Sequence, residues 1–149
     1  MYTYPDWIDQ ATVVEEPEWT SNYQRLDNQS IVMQAREGIN SDLFWEVNKY
    51  TGIKHDYLSK YLQVSLKTIQ RYGAEQKSFD PVKSEQLLKI AALFKKGDEL
   101  FGSRAGFARW LSKPAVAFGQ EQPIAFVATP GGIDLLLDEL ARIEYGDLA

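Results

Sequence analysis

The sequence contains no cysteine and a single histidine, His55, among its 149 residues. It therefore offers no disulfide framework and no Cys/His set typical of a zinc site. It lacks an apolar run near the roughly 18 residues that a membrane-spanning helix needs, and residues 1–9 lack the basic and apolar regions of a signal peptide. These absences predict a cytoplasmic protein that uses no thiol chemistry and no membrane.

No pattern in the chain indicates catalysis or a bound cofactor. One histidine without cysteine supports neither a nucleophile–base pair nor a metal site. The run Thr129-Pro130-Gly131-Gly132 lacks the Lys-Ser/Thr ending of a phosphate loop and is better explained as a helix start. Asp138 and Glu139 are adjacent, so on a helix they point about 100° apart and cannot share a substrate. We therefore predict a binding protein with no catalytic residue, no metal and no cofactor.

Composition predicts one folded core, because 44% of the residues are hydrophobic and 13% are aromatic. The net charge of -5 is unfavourable for a nucleic-acid partner. However, residues 41–102 carry ten basic and eight acidic residues, whereas both flanking segments are net acidic. Only this middle segment favours a polyanion.

The N-terminal segment, residues 1–40, reads as an arm with few regular elements. Its aromatic residues favour an arm that packs on something, such as a dimer mate. The alternative is a loosely held tail. Ser30 to Glu37 alternates imperfectly between apolar and polar residues and stops at Gly38, which predicts a short strand. A lone strand needs a partner, which indicates pairing across a dimer.

The middle segment, residues 41–97, shows helical spacing. A helix is expected from Ser41 to Gly52, and Asp80 with Pro81 starts a long helix that Gly97 interrupts with a kink or a close contact. Between them, the apolar residues have the spacing of two short helices and a tight turn: Leu58, Leu62, Val64, Leu66 and Ile69. No flexible linker follows, so the two halves should form one semi-rigid unit.

The stretch from Leu58 to Tyr72 resembles the helix-turn-helix of the Xre and Cro repressors. Those turns usually contain Gly where this chain has Gln63, so a cost of roughly 1 kcal/mol at positive φ or a wider turn is expected. Arg and Gln on the second helix can pair with guanine and adenine, and lysines can contact phosphates. The candidate DNA-binding residues are Lys54, Lys60, Ser65, Lys67, Thr68, Gln70 and Arg71.

The last third, residues 98–149, contains short motifs in a fixed order. They are Phe101-Gly102, Trp110-Leu111 with Pro114, Gly119 with Pro123, Thr129 with Gly132, and Arg142-Ile143-Glu144-Tyr145-Gly146. In this order they resemble the C-terminal toxin-binding domain of the Xre/MbcA/ParS antitoxins, the partners of RES-domain toxins. Gln120 departs from the family's pattern, which tends to have a second Gly there. The helix after Thr129 should end near Tyr145.

Several residues of the last third have the side-chain type or the position of partner contacts. Arg, Trp and Tyr commonly anchor interfaces, Leu135 lies off the main apolar stripe of the last helix, and the tail after that helix has little core left to complete. Trp110 has an alternative role in the core. The candidate toxin-binding residues are Arg109, Trp110, Leu135, Arg142, Glu144, Tyr145, Gly146, Leu148 and Ala149.

Together these observations predict a mainly α-helical protein, with a helix-turn-helix bundle continuous with a small helical toxin-binding domain. The resemblance implies an antitoxin of a type II toxin–antitoxin system. It would sterically block a RES-domain toxin that consumes NAD and, as a homodimer or toxin complex, repress its own operon by binding operator DNA. The alternative is a stand-alone transcriptional regulator whose C-terminal half only dimerises.

Overall fold

The chain folds into helices packed around one long central helix. A computed structural model describes residues 4–23 and 25–146. The helices are α1 (Gln10–Glu15), α2 (Asn28–Arg36), α3 (Asp42–Thr51), α4 (His55–Leu62), α5 (Leu66–Glu75), α6 (Pro81–Phe101), α7 (Arg104–Ser112) and α8 (Pro130–Glu144), with 3-10 turns at Val116–Phe118 and Pro123–Ala128. The prediction of a mainly α fold is thereby confirmed. Across the described ranges, no helix is long and apolar enough to cross a membrane.

The strand predicted from Ser30 to Glu37 is wrong, because this segment lies in α2. Asp27 caps the helix by accepting a hydrogen bond from the Ser30 amide at 2.9 Å. Ile31 and Ala35, four residues apart, are both buried, and this is the spacing that places two side chains on one face of a helix. The imperfect alternation was therefore part of a helical pattern, and pairing of this segment across a dimer loses its basis.

The described part of the N-terminal arm packs on its own chain. Trp7 is buried, and its indole N–H donates to the Ser112 hydroxyl at 3.1 Å. The Asp9 amide donates to the Gly52 carbonyl at 2.7 Å, and the Lys54 amide donates to the Trp7 carbonyl at 2.8 Å. The arm therefore joins the corner between α3 and α4 to α7.

Helix α6 is the central element, and it packs against α2, α3, α7 and α8. Asp80 caps its start by accepting from the Lys83 amide, and Gly102 ends it with a φ of 78°. A Cβ atom on Gly97 would lie 2.4 Å from ring atoms of Phe107. Of the two outcomes expected at Gly97, the structure has the close contact, which lets α7 pack directly on α6.

A buried arginine connects four segments of the fold. The Arg104 side chain is fully buried, and its guanidinium donates to both carboxylate oxygens of Asp98, with Nη2–Oδ2 at 2.7 Å. Nη1 donates to the Tyr50 carbonyl of α3 at 2.6 Å, and the Arg104 amide donates to a Glu16 carboxylate oxygen at 2.8 Å. The guanidinium also lies over the rings of Tyr50 and Phe94, at 5.2 and 5.3 Å from their centroids. One residue thus ties the arm, α3, α6 and α7 together.

Burial raises the pKa of the Asp98 carboxyl above its ordinary value, and the hydrogen bonds from Arg104 act against that shift. The carboxylate therefore depends on Arg104 for compensation of its charge.

We predict that Arg104→Ala lowers the free energy of unfolding by about 3–5 kcal/mol, because it leaves a largely buried carboxylate without its cation. Urea denaturation followed by circular dichroism measures the change. Lys95→Ala, at an exposed position of α6, is the control and should stay within about 0.5 kcal/mol of the parent. Equal stability of the two variants would contradict this role for Arg104.

Candidate functional site

The segment predicted as a helix-turn-helix forms two helices, α4 and α5, joined by residues 63–65. Gln63 takes the left-handed conformation, with φ 58° and ψ 39°, so glutamine occupies the backbone position that favours glycine. Leu58, Leu62 and Ile69 are buried and hold the two helices on the core. The small Ser59 of α4 is buried as well.

The candidate DNA-binding residues lie at the surface, but not all are equally available. Lys67, Gln70 and Arg71 are exposed, and their i, i+3, i+4 spacing places them on one face of α5. Ser65 caps α5: its hydroxyl accepts from the Thr68 amide at 3.1 Å and contacts the Thr68 hydroxyl at 2.9 Å. Both hydroxyls are thus engaged within the helix end.

The two lysines predicted from α4 lie at separate ends of that helix. Lys54 is at its N-terminal end, beside the arm, and lines an open cleft with Trp45 and His55. Lys60 is exposed in the last turn, 5.8 Å from the Tyr57 ring centroid. The structure therefore groups Lys67, Gln70 and Arg71, and leaves Lys54 apart from them.

In α7, Trp110 joins an aromatic cluster. Its ring stacks on Phe107 at 5.9 Å between centroids and also contacts Phe101 and Phe118, at 5.8 and 6.1 Å. Trp110 is half-buried, whereas the neighbouring Arg109 is exposed. These ring contacts support the alternative role of Trp110 as a core residue.

The Thr129–Gly132 motif has a structural explanation at the start of α8. The Thr129 hydroxyl accepts a hydrogen bond from the Gly132 amide at 3.0 Å. A Cβ on Gly132 would lie 2.0 Å from the Phe126 carbonyl oxygen, whereas a Cβ on Gly131 would meet nothing within 4 Å. The motif therefore caps the helix and allows the preceding 3-10 turn to approach it closely.

Helix α8 displays the remaining candidates along its solvent side. Leu135 is 53% exposed and Tyr145 is 73% exposed. Arg142 forms an ion pair with Glu139, and Glu144 forms one with Lys96 of α6, so both charges have partners within the chain. Gly146 follows the helix with a φ of 58°. The candidates Leu148 and Ala149 lie outside the described residues.

Two buried polar residues of α6 connect it to the C-terminal third, and neither is among the residues predicted from the sequence. The Gln86 amide donates to the Tyr61 carbonyl of α4 at 3.1 Å and to the Val127 carbonyl at 2.9 Å. Lys89 pairs with Asp134 of α8 at 2.9 Å and with Glu85 at 3.3 Å. Burial opposes the Lys89 charge, but these carboxylates outweigh it and raise its pKa. Their only sequence signal was a polar residue on the apolar face of a helix.

Within the part of the chain that the structure describes, no group of three or more His, Asp or Glu residues is placed to hold a metal ion. His55 is exposed at the start of α4, with its ring edge toward Trp45 at 6.2 Å.

Comparison with known proteins identifies the C-terminal third. Residues 96–146 match the family model described as the antitoxin Xre/MbcA/ParS C-terminal toxin-binding domain. The C-terminal third of the chain thus has the toxin-binding domain of the Xre/MbcA/ParS antitoxins. The chain is similar to the protein named Antitoxin Xre of Yersinia enterocolitica serotype O:8 / biotype 1B, with 21% identity over 117 residues, 78% of this chain and 79% of that relative.

The matched domain contains α7, α8 and the aromatic cluster, and it begins within α6. The aligned region of the relative is longer than this domain, so the similarity extends into the helical half before it. Both comparisons support a role for the chain in a toxin–antitoxin pair.

We predict that Gly132→Ala destabilises the protein by about 1–3 kcal/mol, because the new methyl group collides with a backbone carbonyl. Gly131→Ala is the matched control at the adjacent position. It should be neutral or stabilising by up to about 1 kcal/mol, since it replaces an open helical glycine. Thermal unfolding of both variants measures the difference, and a Gly132→Ala variant as stable as Gly131→Ala would contradict the close approach.

Proposed function

We propose that this antitoxin binds a RES-domain toxin and blocks it sterically, in the cytoplasm, with α8 and the residues after it as the main contact. The observation that carries the proposal is the match of residues 96–146 to a toxin-binding domain whose last helix exposes Leu135 and Tyr145. An exposed leucine in the first half of α8 and an exposed tyrosine at its C-terminal end supply apolar contact area, and tyrosine is a frequent anchor of interfaces.

In this proposal, inhibition needs no chemistry from the antitoxin. A helix end and tail that occupy the toxin's cleft exclude its substrate, NAD, and the aromatic cluster behind α8 provides rigid support. We propose three functional segments: the arm (residues 1–40), the helix-turn-helix unit (41–97) and the toxin-binding unit (98–149). Arg109, at the surface of α7, is also a proposed toxin contact. Trp110 is half-buried, so only its exposed edge can contribute to that contact.

We expect the double variant Leu135→Ala/Tyr145→Ala to weaken inhibition of the toxin at least about tenfold, because it removes two exposed apolar contacts. The measurement is NAD consumption by the purified toxin, titrated with antitoxin. Val14→Ala is the control, since Val14 is 83% exposed on α1 and lies outside the proposed face. A double variant as potent as the parent would place the contact elsewhere, and a toxin indifferent to the parent chain would contradict the proposed function.

We further propose that the antitoxin represses its own operon by placing α5 in the major groove. The exposed Lys67, Gln70 and Arg71 on one face of α5 support this role, as does the net positive charge of residues 41–102. A single copy makes few contacts, so we propose that a homodimer, or a complex with toxin, reads two half-sites. Lys60 is a candidate phosphate contact, and Lys54 is a more distant one.

For operator DNA, we expect Arg71→Ala to cost about 1–3 kcal/mol of binding and to relax sequence preference, while Lys67→Ala reduces the salt dependence. Fluorescence anisotropy with DNA from upstream of the gene measures both effects. Lys95→Ala removes the same charge from exposed α6 and should bind as the parent does. Unchanged binding by Arg71→Ala would contradict a role for this face.

The alternative is a stand-alone regulator whose C-terminal half serves dimerisation only. It shares the face of α5 but requires no toxin. Operator binding by a chain that leaves the neighbouring gene's product unaffected would favour this alternative.

A further inference from the structure

The exposed side of α8 borders an apolar cleft of about 550 Å³. Such a volume lies within the range of protein pockets that enclose a small molecule or a side chain. The lining residues come from α8 and from the segment before it: Ala117, Phe118, Gly119, Phe126, Leu135, Asp138 and Arg142.

The floor of the cleft is a preformed turn. Ala115 and Glu121 form an antiparallel bridge, and between them Gly119 has a φ of 64°. Phe118 packs on Phe126 at 4.9 Å between ring centroids. Because the floor is held by backbone hydrogen bonds and ring contacts, a bound side chain would not have to order it.

The rim of the cleft carries one uncompensated charge. Arg142 is paired with Glu139, and Asp134, one turn before Asp138, is paired with Lys89. The Asp138 side chain is exposed and forms no ion pair or hydrogen bond with residues 4–23 or 25–146. The cleft therefore combines an apolar floor with a free carboxylate at its edge.

This combination defines the chemistry of its occupant. Resting on the proposed function, we propose that an apolar side chain of the toxin fills the cleft and that a lysine or arginine beside it in the toxin pairs with Asp138. The cleft lies wholly within the matched toxin-binding domain, next to the exposed Leu135. Burial of the apolar side chain contributes affinity, and the charge pair sets the orientation of the toxin segment.

A second copy of the antitoxin fits this face less well. A two-fold contact places the same surface of both copies together, so with the axis near Asp138 the two free carboxylates would meet. Like charges brought together at an interface cost several kcal/mol. The free carboxylate thus favours a basic partner over self-association.

The experiment measures the dissociation constant of the toxin by isothermal titration calorimetry. We expect Asp138→Asn to weaken binding about tenfold and Asp138→Lys about 100-fold, because the first removes and the second reverses the attraction. The control is Glu75→Lys, which makes the same charge change at the exposed end of α5 and should bind as the parent does. Raising salt from about 0.05 to about 0.5 M should weaken the parent more than Asp138→Asn, because salt screens the pair.

Thermal unfolding first establishes that all variants fold. If the Asp138→Lys variant binds the toxin as tightly as the Glu75→Lys variant does, this inference is overturned. The proposed function still stands in that case, because the parent chain binds the toxin. No binding by the parent overturns both. In a scan of toxin lysines and arginines to glutamate, one variant should recover binding to Asp138→Lys, and a scan with no recovery also overturns the charge pair.

Discussion

The packing of the arm, α3, α6 and α7 on one another depends on the ion pair between Arg104 and Asp98. A fully buried guanidinium is costly unless its donors have acceptors, and here a carboxylate and a backbone carbonyl receive them. Such a pair adds little net stability compared with apolar packing, but it strongly penalises any arrangement that separates its members. Since the partners come from α3 and α6, and the arm reaches the same residue through Glu16, the pair specifies how these segments meet.

Much of the fold was predictable from local chemistry. Apolar spacing and capping residues predict α3, α8 and the start of α6 close to their observed bounds, and Ser65, Asp80 and Thr129 cap their helices through their side chains as such residues usually do. Ser41 is different: it precedes α3 without making a capping hydrogen bond, and the Asn40 side chain accepts from the Asp42 amide instead. The capping residue alone did not identify which oxygen is used.

The missed features depend on contacts distant in sequence. The short apolar pattern of α2 does not by itself distinguish a helix from a strand. The burial of Ile31 and Ala35 against the core is what identifies the helical face. The acceptors of Gln86, at Tyr61 and Val127, are separated from it by 25 and 41 residues, so no local pattern announces them. At the candidate sites, sequence identified exposed residue types, whereas their availability depends on ion pairs such as Lys96 with Glu144.

The matched sequence domain and the packed structural unit begin at different points of the central helix. The family similarity begins at residue 96, yet α6 begins at Pro81, and Gln86 and Lys89 contact the C-terminal third from its first half. A fragment cut at the edge of the similarity would lose these contacts and expose the apolar side of α8. The matched toxin-binding domain is therefore shorter than the unit that we expect to fold, and a minimal toxin-binding fragment should start at the cap of α6, Asp80.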